Sequence, residues 1–315
     1  MKAKFSLTLV CSLFLVTGVG NAADFGRYQA KTVLFLGDSI THSGHYISFI
    51  ETRLRQDNDN RIPEIINLGL PSETCSGLSE PDHPFPRPTV HERLDRALTK
   101  IKPDLVFACY GMNDGIYYPF SEKRFAAYRN GMGTLINKVK AVGARLILIT
   151  PPPFDPLPLR KKGKLHTAGR EKYAWFEIYE GYDSVLDRYA DWLKTQAERV
   201  EGVIDVRTPI KSVQAARRKQ DPDFTMSNDG VHINREGHEL FANAVMKFLG
   251  LRGSENLDRE LFNLVESRHK VMHLAWLDHV GHKRPGPNSK LSFDEAKTEW
   301  AAIENRIHDL LAQKK

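Results

Sequence analysis

Five short apolar runs, each followed by a longer amphipathic stretch, set the strongest limit on what this chain can fold into. They occupy positions 33–36, 65–68, 105–110, 145–149 and 203–206. Each is too short for a helix, and none alternates strictly between polar and apolar residues, so they read as strands buried on both faces. The segments 45–55, 89–100, 125–141, 179–199 and 235–249 carry apolar residues at three- and four-residue spacing, the period of an amphipathic helix. Strand and helix in alternation predict an α/β fold: a three-layer α/β/α sandwich around a parallel five-stranded sheet with right-handed crossovers. In such a sheet, reactive groups gather outside the carboxyl ends of the strands.

The two ends of the chain read differently. Lys2 and Lys4 precede an apolar run at 7–16, and Gly20-Asn21-Ala22 supplies small residues for cleavage. Residues 1–22 are therefore expected to be a signal peptide, and the protein to be exported, periplasmic or secreted. The run falls short of the ~20 residues that span a bilayer, so no stable membrane insertion is expected after cleavage. Cys11 sits inside the run, which argues against a lipoprotein anchor. The main domain is expected over 23–252. Beyond it, helical patterns at 256–279 and 292–313 form a C-terminal helical extension, 253–315, joined by a Gly-, Pro- and Lys/Arg-containing segment at 281–287. The formal net charge is +6, or +4 without Lys2 and Lys4, and no dense basic block interleaves with aromatics, so nucleic acid is not an expected partner. Export allows a disulfide between Cys75 and Cys109, but Cys109 lies within an apolar strand run, and two separate buried thiols are the preferred reading.

Four short motifs fall directly after predicted strands or before a predicted helix. Gly37-Asp38-Ser39-Ile40 follows the first strand, which puts the Ser39 hydroxyl at the sheet edge and its N–H at a helix N-terminus, where it can stabilise an anion. By itself this reads equally well as a capping turn. Asp229-Gly230-Val231-His232 precedes the 235–249 helix, and an aspartate three residues before a histidine can hold the imidazole by its Nδ1–H. Gly111-Met112-Asn113-Asp114 places the Asn113 amide after the third strand, and Gly69 follows the second strand with no side chain to obstruct its N–H. Together these are the parts of an acyl-transfer site, drawn from four separate segments.

The ordered set Gly37-Asp38-Ser39, Gly69, Gly111-Met112-Asn113-Asp114 and Asp229-Gly230-Val231-His232 resembles the SGNH hydrolases, also called the GDSL esterase/lipase family, over about 32–249. The resemblance implies a flavodoxin-like sheet with Ser39 as nucleophile, His232 as general base and Asp229 as the group that steadies the base. It implies an oxyanion hole built from Ser39, Gly69 and Asn113, an acyl-serine intermediate, and no metal or organic cofactor. The loop 69–74 is similar to the corresponding block of carbohydrate esterases in the family.

The expected partner is therefore a small-molecule or polysaccharide ester. Removal of O-acetyl groups from a carbohydrate ranks first, because the loops 71–88 and 151–169, which should wall the cleft, are polar and proline-rich. A lipase, lysophospholipase or thioesterase ranks second. A catalytically silent glycan-binding protein ranks last, since no motif residue is missing. The basic run 160–164 is read as a solvated loop in preference to an anion site. His269 and His273 have the spacing of helical metal ligands, but a helical face packed over the cleft is the preferred reading. Trp276 is read as packing, and His42 and His45 as either cleft-lining or capping residues.

Overall fold

The computed structural model describes residues 23–57 and 62–314; the expected leader, with Cys11, lies outside them. The chain enters through a small hairpin of β1 (Ala23–Phe25) and β2 (Tyr28–Ala30). β3 (Thr32–Gly37) leads into α1 (Ser39–Ser43) and α2 (His45–Asp57), and then β4 (Glu64–Asn67). The alternation continues through α3 (Leu94–Ile101), β5 (Leu105–Cys109), α4 (Glu122–Ala141) and β6 (Arg145–Ile149). The next connection contains α5 (Leu157–Arg160) and two short strands, β7 (Leu165–His166) and β8 (Ile178–Tyr179). After it come α6 (Tyr182–Lys194), β9 (Gly202–Ile204), α7 (Arg207–Arg218) and α8 (Arg235–Leu249), and the chain closes with α9 (Arg259–Val280) and α10 (Phe293–Gln313).

The central sheet has the order β4-β3-β5-β6-β9, parallel throughout, as the five apolar runs require. β4 lies on one side of β3 and the later strands on the other, so right-handed crossovers place α2 on one face and α3, α4 and α6 on the opposite one. Tyr46 of α2 stacks on Phe241 of α8 at 4.1 Å, and Tyr128 of α4 on Tyr189 of α6 at 4.5 Å, which defines the two helical layers. The register pairs Gly37 with Cys109 and Cys109 with Ile149, so the ends of β3, β5 and β6 are level. The order reverses between β3 and β5, and Ser39 and Asn113 follow those two strands. That is the topological switch point, where an open α/β sheet leaves a crevice.

Local departures from the expected elements have local causes. The strand expected over 203–206 stops at Ile204, because the Asp205 side chain accepts the N–H groups of Arg207 and Thr208 and starts α7. That helix was not expected, and its buried side is narrow: Arg207, Ile210 and Gln214. Cys75 and Cys109 are both buried free thiols.

The C-terminal helices do not overhang the cleft as expected. Instead α9 lies against α2, α3 and β4, and Phe262, Leu277 and Val280 join the main core. A second small core of Leu261, Val265, Ile307 and Leu310 fastens α10 to α9. A buried ion network ties the same helices to α2. Glu51 accepts from Arg55 at 2.8 Å and from Arg268 at 2.6 Å, His269 lies 2.7 Å from it, and Arg55 also donates to Glu304 of α10 at 2.7 Å. Trp276 packs edge-on to Phe293.

Candidate active site

Ser39 opens α1. Asp38 caps that helix by accepting the Ile40 N–H at 2.9 Å, and Gly44 ends it in the left-handed conformation. Burial pushes the Asp38 carboxyl up to about 7, against the Ile40 N–H and the charge of His232, which favour its ionised form. Because α1 is so short, the Ser39 hydroxyl stays at the sheet edge, half-buried.

The opposing loop is built to hold a histidine. An antiparallel bridge between Ser227 and Ile233 closes it, Asn234 caps α8, and Gly230 turns the chain at φ 80°. A Cβ at Gly230 would lie 2.5 Å from the Asp155 carbonyl oxygen, so the turn requires glycine twice over, for its backbone angle and for its space. Asp155, buried beneath, takes hydrogen bonds from Gln214, Arg218 and Thr225 and donates its N–H to the Gly230 carbonyl at 2.8 Å. The loop is thereby clamped to the segment after β6.

These two elements meet. His232 Nε2 lies 2.8 Å from Ser39 Oγ, and His232 Nδ1 lies 2.7 Å from Asp229 Oδ2. The other Asp229 oxygen accepts the N–H groups of Val231 and His232 and the Ser227 hydroxyl. Burial alone would raise the Asp229 carboxyl, but the bond and charge of His232 and these N–H donors hold it well below the usual carboxylate range. For His232, burial works downward and the Asp229 bond and charge work upward; the net effect is a raised value. The array can move a proton from Ser39 Oγ to an imidazole whose tautomer is set by Asp229.

The candidate oxyanion donors divide. Asn113 is brought to the same cavity as Ser39, and its amide is held at both ends: Tyr117 donates to its Oδ1 at 2.8 Å, and its Nδ2 donates to the Glu73 carbonyl at 3.1 Å. Glu73 is fixed in turn by a buried pair with Arg93 and by the Tyr110 hydroxyl at 2.6 Å. One Asn113 amide hydrogen remains for a ligand.

Gly69 is not brought there. Its N–H donates to Asn67 Oδ1 at 2.8 Å, and its carbonyl accepts from His42 at 3.2 Å and His273 at 2.9 Å. It is a glycine because α1 passes over it: a Cβ would lie 2.2 Å from the His42 nitrogen. Ser72, three residues later, lines the cavity instead. Its φ is 66°, and its N–H forms no hydrogen bond among the described residues. Arg87, buried in a bidentate pair with Glu80, donates to the Ser72 carbonyl at 3.3 Å and holds this turn in place.

A family model described as GDSL-like Lipase/Acylhydrolase family matches residues 35–240, more than half of the chain, including Ser39, Ser72, Asn113, Asp229 and His232. The chain belongs to the GDSL-like lipase/acylhydrolase family. It is a carboxylic ester hydrolase. No curated protein matches it significantly in sequence. Among solved structures, the gut microbial diltiazem-metabolizing enzyme BT4096 is similar with a TM-score of 0.56 and 21% identity, over 70% of this chain and 47% of that one. The chain thus spans about half the length of that enzyme. Axe2, an acetylxylan esterase from Geobacillus stearothermophilus, is similar with a TM-score of 0.50 and 20% identity, over 70% of this chain and 95% of that one. At these identities the likeness is one of fold.

The cavity of this esterase has a volume of about 410 Å³. Both expected walls reach it: the 71–88 loop through Ser72, Phe85 and Arg87, and the 151–169 segment through Leu159, Lys162 and Lys164. The walls are less polar than their composition implies, because Phe85 and Leu159 face inward and Trp175 and Phe176 join them from the segment before β8. Trp175 and Phe176 stay 50% and 38% exposed, an unusual state for large aromatics and a signal visible in the sequence only as two adjacent aromatics in a polar stretch. The histidines weighed for the site have other partners: His42 and His273 bond Gly69, and His45 bonds Glu266 at 2.6 Å. Nearby, His238, pushed down to about 3 chiefly by burial, meets the Ser43 hydroxyl at 3.0 Å.

Proposed function

We propose that Ser39 is the nucleophile of this ester hydrolase, His232 its general base and Asp229 the group that orients the base. The observation that carries this is the unbroken Ser39–His232–Asp229 chain of 2.8 and 2.7 Å contacts. His232 accepts the Ser39 proton as Oγ attacks the ester carbonyl and returns it to the leaving alcohol. Water then releases the acyl group with the same base. The oxyanion is met by the Ser39 N–H at the start of α1, the free Asn113 amide hydrogen and the Ser72 N–H, which takes the place expected of Gly69. Each such donor is worth about 10²–10³ in kcat.

The substrate we propose is an O-acetylated carbohydrate, met by an exported enzyme whose first 22 residues have the composition of a signal peptide. The cavity is wide enough for a sugar residue, and Trp175 and Phe176 line it while remaining partly exposed, which leaves aromatic surface of the kind on which pyranose rings stack. The shared fold with the acetylxylan esterase Axe2 is consistent with this reading. Hydrolysis of a longer acyl ester, seated against Phe85 and Leu159 of the cavity wall, is the competing outcome of the test.

The test is acetate release by the purified chain from acetylated oligosaccharides, compared with turnover of 4-nitrophenyl esters from acetate to palmitate. Ser39→Ala and His232→Ala should each abolish turnover of every ester while leaving the far-ultraviolet spectrum unchanged. Full 4-nitrophenyl acetate hydrolysis by Ser39→Ala overturns the catalytic assignment, and a preference for palmitate overturns the substrate assignment.

A further inference from the structure

Besides Arg87, three cations line the cavity: Lys162, Lys164 and Arg284. None has a carboxylate partner among the described residues, whereas Arg87 is paired with Glu80, and the one carboxylate in the lining, Asp229, is engaged by His232. Lys162 donates to the Asn228 carbonyl at 3.0 Å, and the Lys164 ammonium has no bond among the described residues.

Arg284 is the most unusual of the three. It comes from the segment between α9 and α10, outside the 35–240 family match, so it belongs to the part of the chain that the shared fold does not supply. Its guanidinium sits 5.1 Å from the centre of the Phe85 ring, and among the described residues its only hydrogen bond is from Nη1 to the adjacent Pro285 carbonyl at 2.6 Å. Its Nε is buried with no acceptor among the described residues. Burial draws its pKa down from the ordinary arginine value, a sign of a charge poorly served by its surroundings. A desolvated guanidinium donor without an acceptor is costly, and the structure leaves its fork beside the cavity that holds Ser39. The location is anchored: α9 carries His273, which bonds Gly69, while Arg96 of α3 donates to the carbonyl of Val280 at 2.9 Å and of Gly281 at 3.0 Å, just ahead of Arg284.

We propose that Arg284, with Lys164 and Lys162 of the 151–169 wall, binds an anionic group of the ester substrate, so that the enzyme acts on an acylated acidic saccharide. A planar guanidinium matches the paired oxygens of a carboxylate or a sulfate, and three unneutralised cations around one small cavity favour an anion over a neutral sugar. The C-terminal helices thereby have a functional part: they deliver a specificity residue to a site assembled by the family core. This inference rests on the esterase reading of the cavity given above.

The experiment measures acetate release by the full chain from an O-acetylated oligogalacturonide before and after methyl esterification of its carboxylates. A second arm uses an acetylated sulfated oligosaccharide and its desulfated form. The expected result is a charged-over-neutral ratio of kcat/KM of at least about tenfold in one arm, carried mainly by KM; the arm that shows it identifies the anion. In Arg284→Gln the ratio should fall towards one, and Arg284→Lys should retain part of it. Ratios within about twofold in both arms for the unmodified enzyme overturn the proposal, whatever the variants do. So does a ratio that survives in Arg284→Gln. Ser39-dependent hydrolysis of 4-nitrophenyl acetate is measured in parallel: its loss would tell against the esterase reading, whereas its presence with no charge preference tells against this inference alone.

Discussion

Gly69→Ala separates a packing role from a catalytic one. The added Cβ would stand 2.2 Å from the His42 nitrogen, 2.5 Å from the Thr41 carbonyl carbon and 2.8 Å from the His42 Cα. All three are backbone atoms of the α1 segment, so no side chain can swing away. Ordinary contacts begin near 3.5 Å, and relief therefore requires α1 and the end of β4 to part by about 1 Å. Overpacking of this kind costs about 1–3 kcal/mol, and the purely backbone contacts place this case near 3 kcal/mol. At roughly 2–4 °C per kcal/mol for a domain of this size class, the melting temperature should fall by about 6 °C or more. Ser39 stands two residues before Thr41, so the same shift should displace the nucleophile, and misplacement by ~1 Å can cost about 10²-fold in rate. Thermal unfolding followed by circular dichroism, together with 4-nitrophenyl acetate kinetics, measures both effects. An alanine keeps the backbone N–H, so a pure oxyanion donor would tolerate the change. A variant that melts within 1 °C of the parent (about 0.5 kcal/mol or less) and turns over normally would refute the steric argument.

Two further substitutions probe the proton relay and the C-terminal helices. Asp229→Asn should lower kcat by about 10⁴, the cost typical of replacing the aspartate in a Ser-His-Asp array. Because Asp229 is what raises His232 against the downward pull of burial, and the base must be neutral, its loss should also move the acid limb of the kcat/KM profile to lower pH; a limb that stays put would refute the assignment. Arg268→Met removes a donor from the fully buried Glu51 and should destabilise the fold by about 3 kcal/mol, as when one partner of a buried pair is lost. Burial alone would raise Glu51, but Arg268, Arg55 and His269 hold it well below its ordinary value. Its contribution to stability is therefore present above the ordinary glutamate pKa and lost as the pH falls through the depressed folded value. In Arg268→Met the folded value lies closer to the ordinary one, so the part of the stability lost to acid through Glu51 should be smaller, as read from denaturant unfolding between pH 7 and pH 3; an unchanged acid profile would count against the network.

What the sequence by itself determined is whatever short-range chemistry decides. Uninterrupted apolar runs such as 105–109 and 146–149 are too short for helices and read as buried strands, and their alternation with amphipathic segments leaves a doubly covered parallel sheet. Asp229 and His232 are three residues apart on a turn that Gly230 permits, so their contact was legible, and the position of Ser39 at the strand-to-helix junction followed from the end of β3. The tertiary structure alone decided which groups are left with nothing else to bond. Gly69 was expected to offer its N–H, but Asn67 takes it, while Ser72 leaves its own unbonded in a positive-φ turn held by Arg87. No local pattern encodes that choice, because it depends on α1 closing over one residue and on an ion pair seven residues apart closing the loop around the other. The same holds for Arg284, an unremarked residue in a Gly- and Pro-containing connection until α9 packs on α2 and brings it to the cavity of Ser39. Backbone period and turn chemistry act over a few residues, whereas a binding site depends on which polar groups long-range packing leaves unsatisfied.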